Sequence, residues 1–112
     1  MKSVKSGCLL KLNIRERNMK LTIEDKAWAG EVKDRDNWKC VICGNKFRPN
    51  AHHIIPRQLK ETRHLVMNGI TLCPKHHRFS FELSAHQNPL AFFMWMKEKR
   101  SYQLRCVMEF LI

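Results

Sequence analysis

The sequence predicts a small α+β domain whose core is stabilised by a bound metal ion. A chain of 112 residues supports one domain with a modest hydrophobic core, so a structural metal would add stability that packing alone supplies poorly. Paired cysteine and histidine residues lie at metal-ligand spacing in the middle of the chain. Two short β-branched segments occupy the same region, and helical patterns precede and follow them.

Residues 1–20 are predicted to be a basic, poorly ordered arm, and residues 21–112 the folded domain. The arm carries six Lys/Arg residues and a single glutamate. Thr22 is then the expected N-cap of a helix, because Glu24 and Asp25 follow in the first turn, where the helix dipole favours acidic side chains. This helix is expected to end at Asp34 or Asp36.

Two short strands are predicted in the centre of the chain. Residues 51–55 are typical of a strand that Pro56 ends, since proline cannot continue a hydrogen-bonded ladder. Asn68 and Gly69 form a strong turn signal, and residues 70–72 are the expected returning strand. A helix is predicted from Pro74 onward. The basic connection over residues 57–67 has no predicted structure.

Two helices are predicted at the C-terminal end. Asn88 as N-cap and Pro89 at the first helical position indicate a helix that extends to about residue 100. Apolar residues then recur at helical spacing up to Leu111, which predicts a short final helix. Residues 110–112 are apolar, and the sequence leaves open whether they pack on the core or form a homodimer contact.

Four residues form a candidate structural zinc site. A CxxC pair is followed by a CxxH pair, and the set consists of Cys40, Cys43, Cys73 and His76. Three thiolates and one imidazole fill all four tetrahedral positions of zinc, which leaves no open position for a substrate. This spacing is typical of metal sites rather than of disulfides and favours a reduced, intracellular, cytoplasmic protein. Cys8 and Cys106 have no partner in the pattern.

The charge distribution predicts a nucleic-acid partner. The chain has a formal net charge of +11, and residues 37–81 contain eight Lys/Arg residues against one acid, Glu61. The basic region therefore coincides with the cysteine and histidine region. No apolar run approaches the roughly 20 residues that a membrane span needs.

The central segment resembles the HNH endonucleases, a branch of the ββα-metal (His-Me finger) nucleases. The resemblance covers residues 38–80, and residues 88–95 look like the tail of phage-type HNH proteins. It implies a ββα-metal core with flanking helices and metal-dependent hydrolysis of DNA phosphodiester bonds. The matching motifs are Cys40-x-x-Cys43, Ala-His-His-Ile-Ile-Pro at 51–56, Asn68-x-x-x-Leu-Cys73 and the pair His76-His77.

The resemblance also implies individual roles. His52 and His77 take the positions that bind one catalytic divalent cation, which in relatives is Mg²⁺, Mn²⁺, Ni²⁺ or Zn²⁺. His53 is the general base that activates water, and a histidine suits this role because its ordinary pKa near 6.5 leaves it largely neutral at pH 7. Asn68 holds the loop and orients the site. Phosphate contacts, or simply a general basic surface, are expected from Arg57, Arg63 and Arg78.

Two departures from the family pattern leave alternatives open. Most relatives end in Cys-x-x-Cys-His, whereas this chain has Cys73-x-x-His76-His77, so the two histidines could exchange roles. In addition, residues 78–81 after His77 lack a further basic-histidine tail, so the geometry of a third metal ligand is left open. His64 and His86 match no motif position and are predicted to be surface residues. The alternative function is a non-catalytic, zinc-stabilised nucleic-acid-binding module, which accounts for the charge but gives no reason for both His53 and His77. A purely structural zinc domain explains the apolar C-terminus but not the charge.

Overall fold

The computed structural model describes residues 21–111 and confirms the predicted α+β class. The basic arm predicted for residues 1–20 lies outside the described residues. Among the described helices, none is long and apolar enough to cross a membrane. The regular elements, in chain order, are α1 (Ile23–Arg35), β1 (Asn50–His53), α2 (Lys60–Arg63), β2 (Gly69–Leu72), α3 (Pro89–Lys99) and α4 (Ser101–Met108). Short helical turns lie at Val66–Asn68, Lys75–Phe79 and Glu109–Leu111.

Helix α1 begins at the predicted cap. The Thr22 hydroxyl accepts a hydrogen bond from the Asp25 backbone N–H at 3.0 Å, and the Asp25 carboxylate accepts one from the Thr22 N–H at 2.9 Å. This reciprocal capping box satisfies two N–H groups that a helix start otherwise leaves without partners. The helix buries Trp28 and Val32, both of which lie close to Gly69 of β2. The first helix and its N-cap are therefore as predicted.

The sheet consists of β1 and β2 in antiparallel pairing, with His52 opposite Ile70 and His53 opposite Gly69. The predicted tight turn at Asn68 and Gly69 is wrong for Gly69, which is not a turn residue. Gly69 has an extended backbone and already belongs to β2, while Asn68 ends a 3₁₀ turn. Glycine is required there for another reason, because a Cβ atom would clash with the side chains of Trp28 and Val32.

The helix predicted from Pro74 is a single wide turn. Residues Lys75–Phe79 form a π-helical turn, in which the Ser80 backbone N–H donates to the Lys75 carbonyl at 2.9 Å. Such turns are rare and frequently lie at functional sites. This turn carries His76 and His77, so the ββα arrangement ends in a short irregular helix rather than a regular one.

Helices α3 and α4 complete the core as predicted. The Asn88 side chain caps α3 by accepting from the Ala91 N–H at 3.1 Å. Phe110 and Leu111 are 53% and 63% exposed, so the interpretation that they pack on the core is wrong for these two residues. The core cluster combines sheet, cysteine and helix residues, among them Ile70, Leu72, Cys73, Phe92, Met96 and Leu104.

Candidate metal centre and active site

The structure brings Cys40, Cys43, Cys73 and His76 together at one place. Cys40 and Cys43 lie on the loop after α1, while Cys73 and His76 follow β2. The loop is fixed to the sheet because the Val41 N–H donates to the Thr71 carbonyl at 3.0 Å. All four candidate ligand atoms lie within 4.8 Å of one another, and the residues other than Cys43 are buried.

The distances within this Cys₃His cluster fit a tetrahedral metal. The Cys43 and Cys73 sulfurs are 3.7 Å apart, and the His76 Nδ1 atom lies 3.4 Å from the Cys73 sulfur and 3.7 Å from the Cys40 sulfur. Bond lengths of about 2.3 Å to sulfur and about 2.0–2.1 Å to nitrogen place tetrahedral ligand atoms roughly 3.5–3.8 Å apart. The cluster could therefore hold a structural metal ion such as zinc, with His76 as its nitrogen ligand.

The ionisation of the two buried thiols differs. Burial raises the pKa of Cys40, but hydrogen bonds from the backbone N–H groups of Cys73, Cys43 and Ile42 outweigh it, so the pKa of this thiol is lowered. Burial raises the pKa of Cys73, and the neighbouring Cys40 charge adds to the increase. Two thiolates this close repel each other unless a cation lies between them, which is a further reason to expect a metal here.

A second cluster consists of three histidines, His52, His77 and His86. The Nε2 atoms of His77 and His86 are 3.1 Å apart. The His52 ring centroid lies 5.2 Å from each of the other two ring centroids. The candidate ligand nitrogens of the three histidines all lie within 4.8 Å of one another. The structure thus places His76 in the cysteine cluster and His77 in the histidine cluster, which removes the ambiguity that the sequence left.

His86 was missed as a site residue. It is exposed, as expected, yet its ring faces His52 and His77 rather than lying apart from them. A backbone hydrogen bond of 3.0 Å from the His86 N–H to the His77 carbonyl brings the two residues together. The nine-residue spacing between His77 and His86 matches no metal motif. Their closeness therefore becomes visible only in the folded structure, where the loop after the π turn brings His86 back to His77.

The histidine cluster is kept uncharged. Burial, together with repulsion from His77 and His86, lowers the pKa of His52 to about 3. Burial likewise lowers the pKa of His77 to about 4, and the pKa of His86 is lowered for the same reason. Neutral imidazoles are the form that binds metal ions, so the cluster could hold a divalent cation at neutral pH.

His53 lies on the opposite face of β1 from His52, as strand alternation requires. Its ring stacks on Trp28 with the centroids 3.8 Å apart and the planes inclined by 10°. Its Nε2 atom lies 2.9 Å from the Arg63 carbonyl oxygen. A carbonyl only accepts, so Nε2 carries the proton, and Nδ1 is the nitrogen left to accept one. Burial lowers the pKa of His53, which keeps the ring neutral.

Asn68 is fully buried and holds the loop that follows β1. Its side-chain oxygen accepts from the Ile55 N–H at 2.7 Å. Its amide nitrogen donates to the carbonyls of Ile55 and Thr62, each at 3.0 Å. These bonds connect the end of β1 to α2, and α2 supplies the Arg63 carbonyl that contacts His53. Asn68 therefore acts on the site through the backbone.

Arg63 is engaged inside the fold. Its guanidinium donates from Nε to the Asp25 Oδ1 atom at 2.8 Å and from Nη2 to Oδ2 at 2.6 Å. His64 Nε2 lies 2.8 Å from the same carboxylate. The Arg63 side chain is 13% exposed and that of Asp25 is 2% exposed. This buried pair ties the start of α1 to α2, so the expected phosphate contact gives way to a role in positioning.

Replacing Asp25 by asparagine is expected to destabilise the fold by about 3–5 kcal/mol at pH 7, because Arg63 then keeps a buried charge without its counter-ion. The Arg63 guanidinium holds the pKa of Asp25 far below its ordinary value of 3.8. The stabilisation is therefore complete above that value and is lost as the pH falls toward the folded-state pKa. Urea unfolding of both proteins between pH 7 and pH 3 should show the difference narrowing below about pH 4.

A matched control is Glu24→Gln, which removes an exposed carboxylate from the same helical turn. Its effect should stay within about 0.5 kcal/mol. A stability difference for Asp25→Asn that persists unchanged into acid would contradict the buried-pair explanation.

The two histidine faces meet at one open groove of about 490 Å³. The groove is basic, because Arg57 and Arg78 line it and no acidic residue does. Arg78 is exposed, whereas Arg57 is half-buried. The groove thus combines a neutral imidazole, a candidate cation site and positive charge, and its histidines are His52, His53, His77 and His86.

These features define a small α+β domain with a closed Cys₃His cluster beside an open imidazole cluster. Residues 40–80 match the family model described as HNH endonuclease. The resemblance recognised in the sequence is thereby confirmed for this segment, which contains both metal-ligand clusters except His86. No curated protein and no solved structure matches the chain. The match to this family over residues 40–80 supports a nuclease-like function.

Proposed function

We propose that this protein is a metal-dependent HNH endonuclease that hydrolyses DNA phosphodiester bonds. The observation that carries the proposal is the groove itself. It presents the neutral imidazole of His53 beside the His52, His77 and His86 cluster, in a wall that carries arginines and no acids. Phosphodiester hydrolysis needs these three elements: a base for water, neutralisation of phosphate charge and help for the leaving oxygen.

His53 is proposed to take the proton from the attacking water at Nδ1. Its Nε2–H stays bonded to the Arg63 carbonyl, which stabilises the imidazolium once it forms. Stacking on Trp28 fixes the plane of the ring, so Nδ1 keeps one direction during the reaction. Asn68 and the Asp25–Arg63 pair hold the carbonyl that orients the base.

His52 and His77, joined here by His86, are proposed to hold the catalytic cation. When bound, a divalent ion supplies charge neutralisation on the phosphate and stabilises the departing 3′ oxygen. Mg²⁺ and Mn²⁺ prefer oxygen ligands, whereas three imidazole nitrogens suit Ni²⁺ or Zn²⁺ better. The histidine cluster therefore favours these ions among the cations that the family resemblance implies.

DNA is the proposed partner. The formal net charge of +11 and the arginines of the groove favour a phosphate-dominated affinity with little sequence preference. Arg57 and Arg78 are the proposed phosphate contacts, because both line the groove. A homodimer through the apolar C-terminus remains a proposal, for which the exposure of Phe110 and Leu111 is the supporting observation.

The proposal is tested by a plasmid-nicking assay with EDTA-treated protein to which Mg²⁺, Mn²⁺, Ni²⁺ or Zn²⁺ is added back. We expect no nicking in EDTA and the highest rates with a transition metal, since the ligands are imidazoles. DNA binding without nicking under every metal condition would favour the alternative, a non-catalytic zinc-stabilised nucleic-acid-binding module.

His86→Ala should weaken affinity for the added metal by at least about ten-fold, because even the loss of a group that supports a ligand costs that much. Titration of a metal into the protein, followed by calorimetry, measures the affinity directly. His64→Ala is the matched control, since His64 is also exposed but contacts Asp25 rather than the histidine cluster. Equal affinities for the two variants would remove His86 from the site.

A further inference from the structure

A second cleft lies next to the proposed active site, between α1 and β1. It has a volume of about 390 Å³, within the usual range of small-molecule sites. We call it the α1–β1 cleft. Its lining includes residues of α1, of the loop after α1, of β1 and of the segment after β1, among them Lys26, Lys33, Trp38, Ala51, His53 and Arg57. The proposed hydrolysis gives no role to Lys26, Lys33 or Trp38 of this cleft.

Trp38 is presented to solvent at this cleft in a fixed orientation. Its side chain is 47% exposed, and its Nε1–H donates to the Asp34 carboxylate at 2.7 Å. The Lys33 ammonium lies 5.0 Å from the ring centroid. Trp38 and the preceding Asn37 both have positive φ angles, 55° and 59°. This backbone conformation is unfavourable for a bulky side chain and recurs at functional sites.

The charge of the cleft suits a polyanion. Lys26, Lys33 and Arg57 are its cationic residues. Asp25 is its single acidic residue, and the Arg63 guanidinium and His64 already engage that carboxylate. An exposed indole among cations is the combination by which proteins bind single nucleotides within a strand, through base stacking and backbone attraction.

The cleft adjoins the active-site groove, because Ala51, His53 and Arg57 line both. A strand whose phosphate reaches His53 therefore extends one neighbouring nucleotide over the cleft. We propose that the α1–β1 cleft binds a nucleobase that flanks the scissile phosphate and that Trp38 stacks on this base. The inference rests on the proposed nuclease function and adds a nucleotide-binding subsite to it.

The test uses the full chain and single-stranded oligonucleotides that share one cleavage position. A set of substrates carries an abasic site at each position around the scissile phosphate. For the wild-type protein we expect KM to rise about ten-fold at one flanking position, with kcat nearly unchanged, because only a stacked base is lost. Trp38→Ala should raise KM on the intact substrate by a similar factor and should no longer distinguish the abasic substrate.

Trp38→Phe retains an aromatic face and should restore most of the affinity and the abasic sensitivity. Tyr102→Ala is the control, because Tyr102 is an exposed aromatic residue on α4 outside both grooves. Equal KM values for intact and abasic substrates at every position would overturn the proposal.

Failure of the proposed function has a different signature. If no metal supports cleavage, binding of the same oligonucleotides is measured by fluorescence anisotropy. Weaker binding of the abasic strand by wild-type protein, but not by Trp38→Ala, still supports the nucleotide subsite. Identical binding of intact and abasic strands by the wild-type protein overturns it.

Discussion

Replacing His53 by alanine is expected to lower the rate of metal-dependent DNA nicking by about 10²–10⁴-fold, the usual contribution of a general base. The reason lies in the tautomer that the structure imposes. The Arg63 carbonyl holds the proton on Nε2, so Nδ1 is the only ring nitrogen able to take a proton from water. A plasmid-nicking time course at saturating metal measures the loss directly.

A loss of activity in His53→Ala could also come from a packing defect, because His53 stacks on Trp28. A second variant distinguishes the two causes. His53→Phe keeps an aromatic ring against the indole but has no nitrogen to accept a proton. Both variants should keep zinc content and a folded circular-dichroism spectrum, and both should be inactive. Nicking by His53→Phe at the wild-type rate would show that His53 serves packing rather than proton transfer.

The sequence predicted most of the architecture because its signals are local. Thr22 and Asp25 form a capping box within one helical turn. At the start of α3, Asn88 is the N-cap and Pro89 is the first helical residue. The candidate zinc ligands are also recognisable from the sequence, because each pair is separated by only two residues. Gly69 differs, because the side chains that exclude a Cβ atom there, Trp28 and Val32, belong to α1. From the sequence alone, this glycine cannot be told apart from one that is needed for a tight turn.

The parts of the site that the sequence did not reveal depend on long-range contacts. His86 joins His52 and His77 only through the course of the loop after the π turn. The Asp25–Arg63 pair connects residues 38 positions apart, and a basic residue in a basic stretch looks like a phosphate contact until its partner is visible. Trp28 likewise gave no sign that its indole would stack on His53.

The orientation of His76 and His77 shows how the fold settles what a motif leaves open. Adjacent residues on a π turn diverge, and the turn directs His76 inward to the cysteines and His77 outward to the groove. The backbone helps, since the His77 N–H donates to the Cys73 carbonyl at 2.8 Å and fixes the turn against the cysteine cluster. The two candidate metal clusters are therefore linked through one turn.

Replacing Cys40 by serine is expected to remove both the metal and the folded state. Cys40 is 2% exposed and belongs to the core cluster together with Cys73, Ile70 and Leu72. Structural zinc contributes about 10–16 kcal/mol of binding free energy in small zinc domains, whereas a whole domain is stable by only about 5–15 kcal/mol. Losing a ligand thus removes free energy comparable with the entire stability. Zinc content by atomic emission and thermal unfolding by circular dichroism measure the two effects.

Cys106→Ser is the matched control, because Cys106 is a half-buried cysteine outside the metal cluster. It should keep a full complement of zinc and a cooperative unfolding transition. The Cys40 variant should lose nicking activity as well, although Cys40 does not line the groove, because the π turn that carries His77 is bonded to Cys73 of the same cluster. A Cys40→Ser protein that binds zinc fully, unfolds cooperatively and still nicks DNA would contradict the structural role of this metal.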